Sequence, residues 1–426
     1  MCYDEMDDEG LRWIMIRGEK IKYFREKNKL TQKQLTSGIC SVPYLSKVEN
    51  NSIVPSKEIL GLLCKKLNIE YDELLQSSST DEIKKLIYTW YDDIKARKRS
   101  ATKDHYISIE KKMKGIKDIE LLSMFHLCAT RHFLLLREFD SAEEHLAHTE
   151  KYIEYTPKET EAYYFYFSGL YEYLKGHFQK ALELYLKAKD YVNEPEYHYQ
   201  LALIYSRLGK ITLSIFHSER AMEEFHKNIQ FKKVIDCYIL LGINYNRINE
   251  HSTAITYFEK ARKGIESLPD IGHLRIHIYH NMGIVYHKMK KPWEAIDYFL
   301  KSLNERDDLQ GGELTIYLLA SNLFQLNENE DAGRWITKGL ELLKGELNET
   351  YCLLKILQFQ VSKRRNDEDY KIFLEEIALP IFQKKDEFMY IRMCYEQLGD
   401  YYYRKKQYKR SSECYCSANQ VESSFI

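Results

Sequence analysis

At 426 residues, 44% hydrophobic and 30% charged, the chain has material for two or three average domains or for one elongated repeat array. Its 7 Pro and 18 Gly are few for that length and point to long helices with short connections, an all-α protein with a formal net charge of only −1. No apolar run approaches the roughly 18 residues of a membrane helix, and the acidic start MCYDEMDDEG is unlike a signal peptide, so a cytoplasmic protein with no membrane contact is expected. Nine Cys scattered from Cys2 to Cys416 without a C-x-x-C pair fit reduced, mostly buried thiols and not a disulfide frame or zinc site.

Residues 1–16 carry five acids and one Arg and read as a flexible acidic prefix, within which Met15 is an alternative start. The sign then reverses. Residues 17–66 hold eleven Lys or Arg against four Glu, a local excess of +7 that the overall charge conceals. Apolar positions Ile21, Phe24, Leu35, Ile39, Leu45, Val48, Ile59, Leu63 and Leu67 recur at helical intervals, predicting four or five short helices between 17 and 76. Thr31 with Gln34 three residues on forms a capping box that starts the second helix, and Gln32 in its first turn is placed to offer an amide to a phosphate. Gly38 lets the chain leave that helix tightly. Ser41 caps a third helix from Val42 to about Asn50, and Pro43 is tolerated because the first turn has no internal N–H bond to lose.

Two helices joined by a short turn inside a small basic unit form a helix-turn-helix, whose second helix enters the major groove of double-stranded DNA by its N-terminal end. Ser41, Val42, Pro43, Tyr44 and Lys47 are therefore the expected contacts to bases and phosphates. The run LTQKQL...YLSKVENN...PSKEIL...LCKKLNIEYDELL resembles the Cro/CI-like (XRE) repressor family over about residues 17–76.

QSSST after Leu75 reads as a polar joint, and residues 77–120 as a linker and degenerate first repeat whose basic cluster KARKRSATK is a solvated face. From 121 to 421 one unit recurs. Ala142, Ala181, Ser214, Ala254, Ala295, Ala332 and Ser411 each open a second helix. Gly169, Gly242, Gly283 and Gly399 stand twelve residues before that small residue, and Tyr185, Phe258, Phe299 and Tyr415 four after it. Pro157, Pro195 and Pro269 fall between units, where a helix must end. The spacing runs from about 33 to 41 residues, and residues 340–390 fit poorly. This pattern resembles the tetratricopeptide repeat and implies a right-handed superhelix with a concave groove lined by the first helix of each pair.

Those first helices carry Gln200, Arg207, Asn244, Arg247, Asn281 and Asn322 on or near the inner stripe. An Asn amide donates and accepts at once, matching a peptide backbone, and Arg suits a carboxylate. Several of these side chains are also expected to bond neighbouring helices instead. His273, His277 and His280 share a helical side, but no carboxylate or Cys completes a metal site at ligand spacing. No P-loop, H-E-x-x-H, G-x-S-x-G or dinucleotide fingerprint is present, so neither an enzyme nor a cofactor is expected.

The helix-turn-helix followed by this array resembles the peptide-sensing regulators of Gram-positive bacteria, the Rgg, Rap, NprR, PlcR and PrgX group, over nearly the whole chain. The ICSVPYLSKVENN helix looks like the PlcR branch and the array length like the NprR branch. The resemblance implies quorum sensing: a short signalling peptide bound in the groove changes the oligomer and hence DNA binding, with Asn244, Asn281 and Asn322 as clamping residues. It also implies, for an NprR-like member, a second activity, binding a response regulator of the sporulation phosphorelay as Rap adaptors do. A single small helix-turn-helix unit buries too little surface for tight specific binding, so a homodimer or higher homo-oligomer is expected on DNA.

Overall fold

The structure, a computed structural model, describes residues 18–69, 78–192, 194–268, 271–385 and 387–423. The acidic prefix, Cys2, Met15, Pro269 and most of the residues just before the QSSST joint lie outside those ranges. Every regular element among the described residues is helical. The chain divides into two compact units, Met1–His217 and Ser218–Ile426.

The first unit begins with α1 (Gly18–Lys27), α2 (Gln32–Thr36), α3 (Val42–Glu49) and α4 (Lys57–Leu67). The caps follow the sequence. Thr31 Oγ1 accepts from Gln34 N at 3.2 Å while Gln34 Oε1 accepts from Thr31 N at 2.8 Å, and Ser41 Oγ accepts from Tyr44 N at 3.3 Å. Gly38 has φ +77, the left-handed value that the turn into α3 demands. At Gly18 the constraint is steric, because a Cβ would collide with the backbone carbonyl of Val48, so α1 starts pressed against the end of α3. Ile21, Leu35, Leu45, Val48, Leu60, Leu63 and Leu67 close the core between the four helices.

α5 (Ser78–Lys95) and α6 (Arg99–Met113) follow, with Ser78, the third residue of QSSST, in the helix and Gln76 and Ser77 outside the described residues. They pack on α7 (Ile119–Leu136), where buried Trp90 lies 6.1 Å from the Phe125 ring. By length and composition α7 alone among the described helices could cross a membrane, but more than half of it is buried within the unit, as a core helix should be. α8 (Phe139–Glu150), a short 3₁₀ turn (Ile153–Tyr155), α9 (Lys158–Leu174), α10 (Phe178–Ala188) and α11 (Pro195–Arg207) complete the unit with the start of α12 (Ile211–Lys227). The helix-turn-helix is seated on this array through α1: Lys20 pairs with Asp118, Tyr155 Oη donates to Glu26 Oε2 at 2.7 Å, and the Tyr23 ring stands 5.2 Å from that of Tyr155.

The second unit contains the pairs α13 (Phe231–Arg247) with α14 (His251–Glu266), α15 (Leu274–Lys288) with α16 (Pro292–Asn304), and α17 (Glu313–Gln325) with α18 (Asn329–Leu342). Next come α19 (Glu349–Val361), α20 (Glu368–Ile372), a π turn (Phe373–Ala378), α21 (Leu379–Lys384), α22 (Phe388–Arg404) and α23 (Tyr408–Ser423). The π turn explains the poor repeat match near 340–390. An extra residue enters the helix, and Pro380 just beyond has no N–H to give, which shifts the apolar phase.

In the four pairs that carry them, the glycine and aromatic positions meet as the spacing predicts: Gly169 with Tyr185, Gly242 with Phe258, Gly283 with Phe299 and Gly399 with Tyr415. A Cβ on Gly242 would stand 2.7 Å from the Phe258 ring and one on Gly399 2.8 Å from that of Tyr415, so bare backbone is what lets the two helices close. Where the small residue is Ser, its hydroxyl donates to the carbonyl twelve residues earlier, Ser214 to Ala202 at 2.6 Å and Ser411 to Gly399 at 2.9 Å. Overpacking costs about 1–3 kcal/mol, and Ala regains about 1 kcal/mol over Gly in a helix. Gly242→Ala is thus expected to lower stability by up to about 2 kcal/mol; an unchanged denaturant midpoint would show that the Phe258 ring gives way freely.

Candidate functional site

The recognition helix is held from behind by a buried ion pair. Arg25 on α1 donates from Nε to Glu49 Oε1 at 2.6 Å and from Nη2 to Glu49 Oε2 at 3.1 Å, with Arg25 and Glu49 only 8% and 3% exposed. Its Nη1 donates to the Leu30 carbonyl at 3.1 Å, tying down the entry to α2. Gln32 donates its amide to Glu49 Oε2 at 2.8 Å. The expected phosphate contact would use the second amide hydrogen, the first being held by the buried carboxylate at the end of α3. Gln32 here positions α3 against α2.

The outer side of α3 is open. Ser41, Pro43 and Lys47 are exposed, and Val42 and Tyr44 are half-buried, with Tyr44 leaning on the small core. Leu45 and Val48 fill the inner side. The N-terminal half of α3 therefore presents a hydroxyl, a ring, small apolar groups and a cation on a rigid base, the mixture that reads base edges and phosphates in a major groove.

In the array, the six candidate residues divide. In the first unit Gln200 is half-buried, and exposed Arg207 sets its guanidinium 6.0 Å from the centre of the Phe178 ring. In the second unit Arg247 is exposed and Asn281 half-buried, its amide donating to the His277 carbonyl of its own helix at 2.8 Å. Asn244 and Asn322 are wholly buried, which corrects their expected place on an open groove wall. Asn322 donates to the Leu318 carbonyl at 2.7 Å and its Oδ1 meets His287 Nδ1 at 3.0 Å, so it stitches α17 to the preceding first helix α15. His280 does the same with Thr315 at 2.9 Å, and Lys288 with the Asn246 carbonyl at 3.3 Å. Polar groups on this stripe satisfy one another across neighbouring repeats, as buried amides must.

In the His273, His277 and His280 series burial pushes His280 down to about 4 and its Nδ1 meets Thr315 Oγ1 at 2.9 Å; no group of three or more His, Cys, Asp or Glu placed to hold a metal ion occurs among the described residues. Cys64, Cys128, Cys237, Cys352 and Cys394 are buried thiols outside any disulfide, the inert kind that the scattered spacing predicts. Sequence reasoning missed the Arg25–Glu49 pair, whose partners lie 24 residues apart, and a pair of histidines, His126 and His145, joined Nδ1 to Nδ1 at 2.8 Å.

A small helix-turn-helix with an open recognition helix, followed by helix pairs on a glycine and aromatic frame, defines a transcription regulator carrying a tetratricopeptide-repeat array. Residues 21–74 match the helix-turn-helix family, and residues 195–224 and 234–304 match tetratricopeptide-repeat families. The chain is 30% identical over 397 residues to the transcriptional activator NprA of Geobacillus stearothermophilus, covering 89% of this chain and 97% of NprA. It is 25% identical to the regulatory protein RapD of Bacillus subtilis over 76% of this chain and 94% of RapD. The apo quorum sensor NprR from B. thuringiensis shares the fold with a TM-score of 0.73, at 24% identity over 80% of this chain and 99% of that one; NprR has also been solved in complex with its cognate peptide NprX. The chain belongs to the Rgg, Rap, NprR, PlcR and PrgX group of peptide-sensing regulators.

Proposed function

We propose that this protein binds an operator as a homodimer through α3 of each protomer, and that a short signalling peptide held by the array sets its affinity for DNA. The observation that carries the reading is the exposed N-terminal half of α3, fixed from behind by Arg25 and Glu49 and followed by an array like that of NprR. In the second unit Arg247 and Asn281 keep surface exposure and remain the proposed peptide contacts; Gln200 and Arg207 keep theirs in the first unit, whereas Asn244 and Asn322 are buried. A peptide of about five to eight residues spans roughly 16 to 29 Å when extended, a length that several consecutive first helices can line.

An operator selected from random duplexes provides the test. Tyr44→Ala is expected to weaken specific binding by about 1–3 kcal/mol, and Lys47→Ala to lower the salt slope by about one. If both variants bind as the parent does, α3 is not the reading helix. Light scattering of the complex should give two protomers per duplex; one would remove the dimer. Addition of the peptide encoded by a short reading frame beside the gene should shift that binding isotherm.

The likeness to RapD supports a second activity, in which the array binds a response regulator of the sporulation phosphorelay. Calorimetric titration with such regulators tests it, and no heat of binding from any of them would remove it.

A further inference from the structure

In the second unit the C-terminal ends of three successive first helices, α17, α19 and α22, come together with the turns that follow α17 and α19. They line an open cleft of about 400 Å³. Its lining includes Lys363, Arg365 and Arg404 and the side-chain amides of Asn327, Asn329 and Gln360, with the remainder apolar apart from one further amide. No carboxylate is among the described residues that line it. Of the acids close in the chain, Asp367 and Asp369 accept from Arg364 at 2.6 and 3.2 Å, Glu330 and Asp331 pair with Arg334 at 2.6 and 3.3 Å, and Glu328 stands between Asn327 and Asn329. Arg404 donates from Nε to the Asp400 carbonyl of its own helix at 3.2 Å. α18 starts beside the cleft at Asn329, with Glu330 and Asp331 in its first turn set against the positive end of the helix.

Lys363, Arg365 and Arg404 repel one another and no carboxylate stands among the residues that line the cleft with them, so the cleft is poised for an anion. Its volume is more than ten times the roughly 30 Å³ share of one water, room for the last residue or two of a chain as well as the charge. The amides match peptide N–H and C=O groups, and the apolar part matches a side chain; a lone oxyanion would leave both idle. We propose that this cleft is the subsite that takes the C-terminal carboxylate of a short peptide, with Arg365 and Arg404 as its charge partners. The assignment rests on the peptide-gated reading given above and locates one end of the ligand within it.

The test uses the full chain and two synthetic pools of random heptapeptides, one with free C-terminal carboxylates and one amidated, with retained peptides counted by mass spectrometry. The parent is expected to retain the free acids about tenfold or more over the amides, and an Arg365→Gln/Arg404→Gln variant with an unchanged melting curve to lose that preference. Equal retention of the two pools by the parent overturns the subsite while leaving the array a peptide binder. Retention of neither pool overturns both readings. A thermal shift with inorganic phosphate that disappears in the double variant, without any preference for free acids, assigns the cleft to a small oxyanion and overturns the peptide carboxylate.

Discussion

Arg25→Ala is expected to unfold the helix-turn-helix and abolish operator binding while the array stays folded. The substitution removes the guanidinium from a carboxylate, Glu49, that is 3% exposed and is left with the Gln32 amide at 2.8 Å. Removing one member of a buried pair costs about 3–5 kcal/mol, because the other charge stays desolvated. At roughly 0.05–0.15 kcal/mol per residue a domain of about fifty residues has about 3–7 kcal/mol in total, so the loss takes most of its margin. The Leu30 carbonyl also loses its donor, which loosens the entry to α2. Replacing both charges at once, Arg25→Met with Glu49→Leu, is expected to restore most of the stability, because an apolar pair of similar volume avoids the desolvation cost. Hydrogen exchange on the full chain separates the domain from the array. Native protection of α1 to α4 in Arg25→Ala would show that the pair does not hold α3 in place.

The features that proved legible in the sequence are the local ones. Thr31 with Gln34, and Ser41 with Pro43, announce helix starts because each cap closes within three residues. The array was legible for a related reason, since glycine and aromatic recur sixteen residues apart and must meet whenever two helices fold back antiparallel. Contacts across repeats were not. Asn322 meets His287, 35 residues away, and nothing in either segment signals that the amide turns toward α15 instead of outward. The register did hold a clue. Asn244 and Asn322 stand ten residues before their small residues, Ala254 and Ala332, whereas Asn281 stands fourteen before Ala295, and the structure buries the first two and leaves the third half-exposed. Arg25 carried a comparable signal. It lies four residues after Ile21 and next to Phe24, so a charged group on a core-facing stripe called for a buried partner.

Acidification is expected to destabilise the first unit well before the carboxylates titrate. His126, His132 and His145 surround Phe125 and Tyr106, close to Trp90, and burial is the main cause that lowers all three, His126 to about 3 and the other two to about 4. Neighbouring charges add to this: His145 and His148 act on His126, Lys103 on His132, and Glu144 partly opposes the shift at His145. The folded state therefore keeps these rings neutral where the unfolded chain, with an ordinary value of 6.5, takes up protons. More protons bound by the unfolded state means that stability rises with pH, so the contribution is fully present above about 6.5 and is lost as pH falls from there toward 4. At pH 5 each fully shifted histidine forfeits at most about 2 kcal/mol, and with a discount for the partial solvent access of His126 and His145 the sum is about 3 kcal/mol. Protonation of both rings of the His126–His145 pair puts a hydrogen on each of the two nitrogens 2.8 Å apart and so removes their shared hydrogen bond. Trp90 reports the event directly, its indole lying 5.5 Å from the His132 ring. With Trp13, Trp293 and Trp335 replaced by Phe, denaturant unfolding followed through Trp90 should show a midpoint that falls between pH 7 and pH 5, and His132→Asn should flatten that dependence. A midpoint constant over this range would mean that the three rings are already open to water.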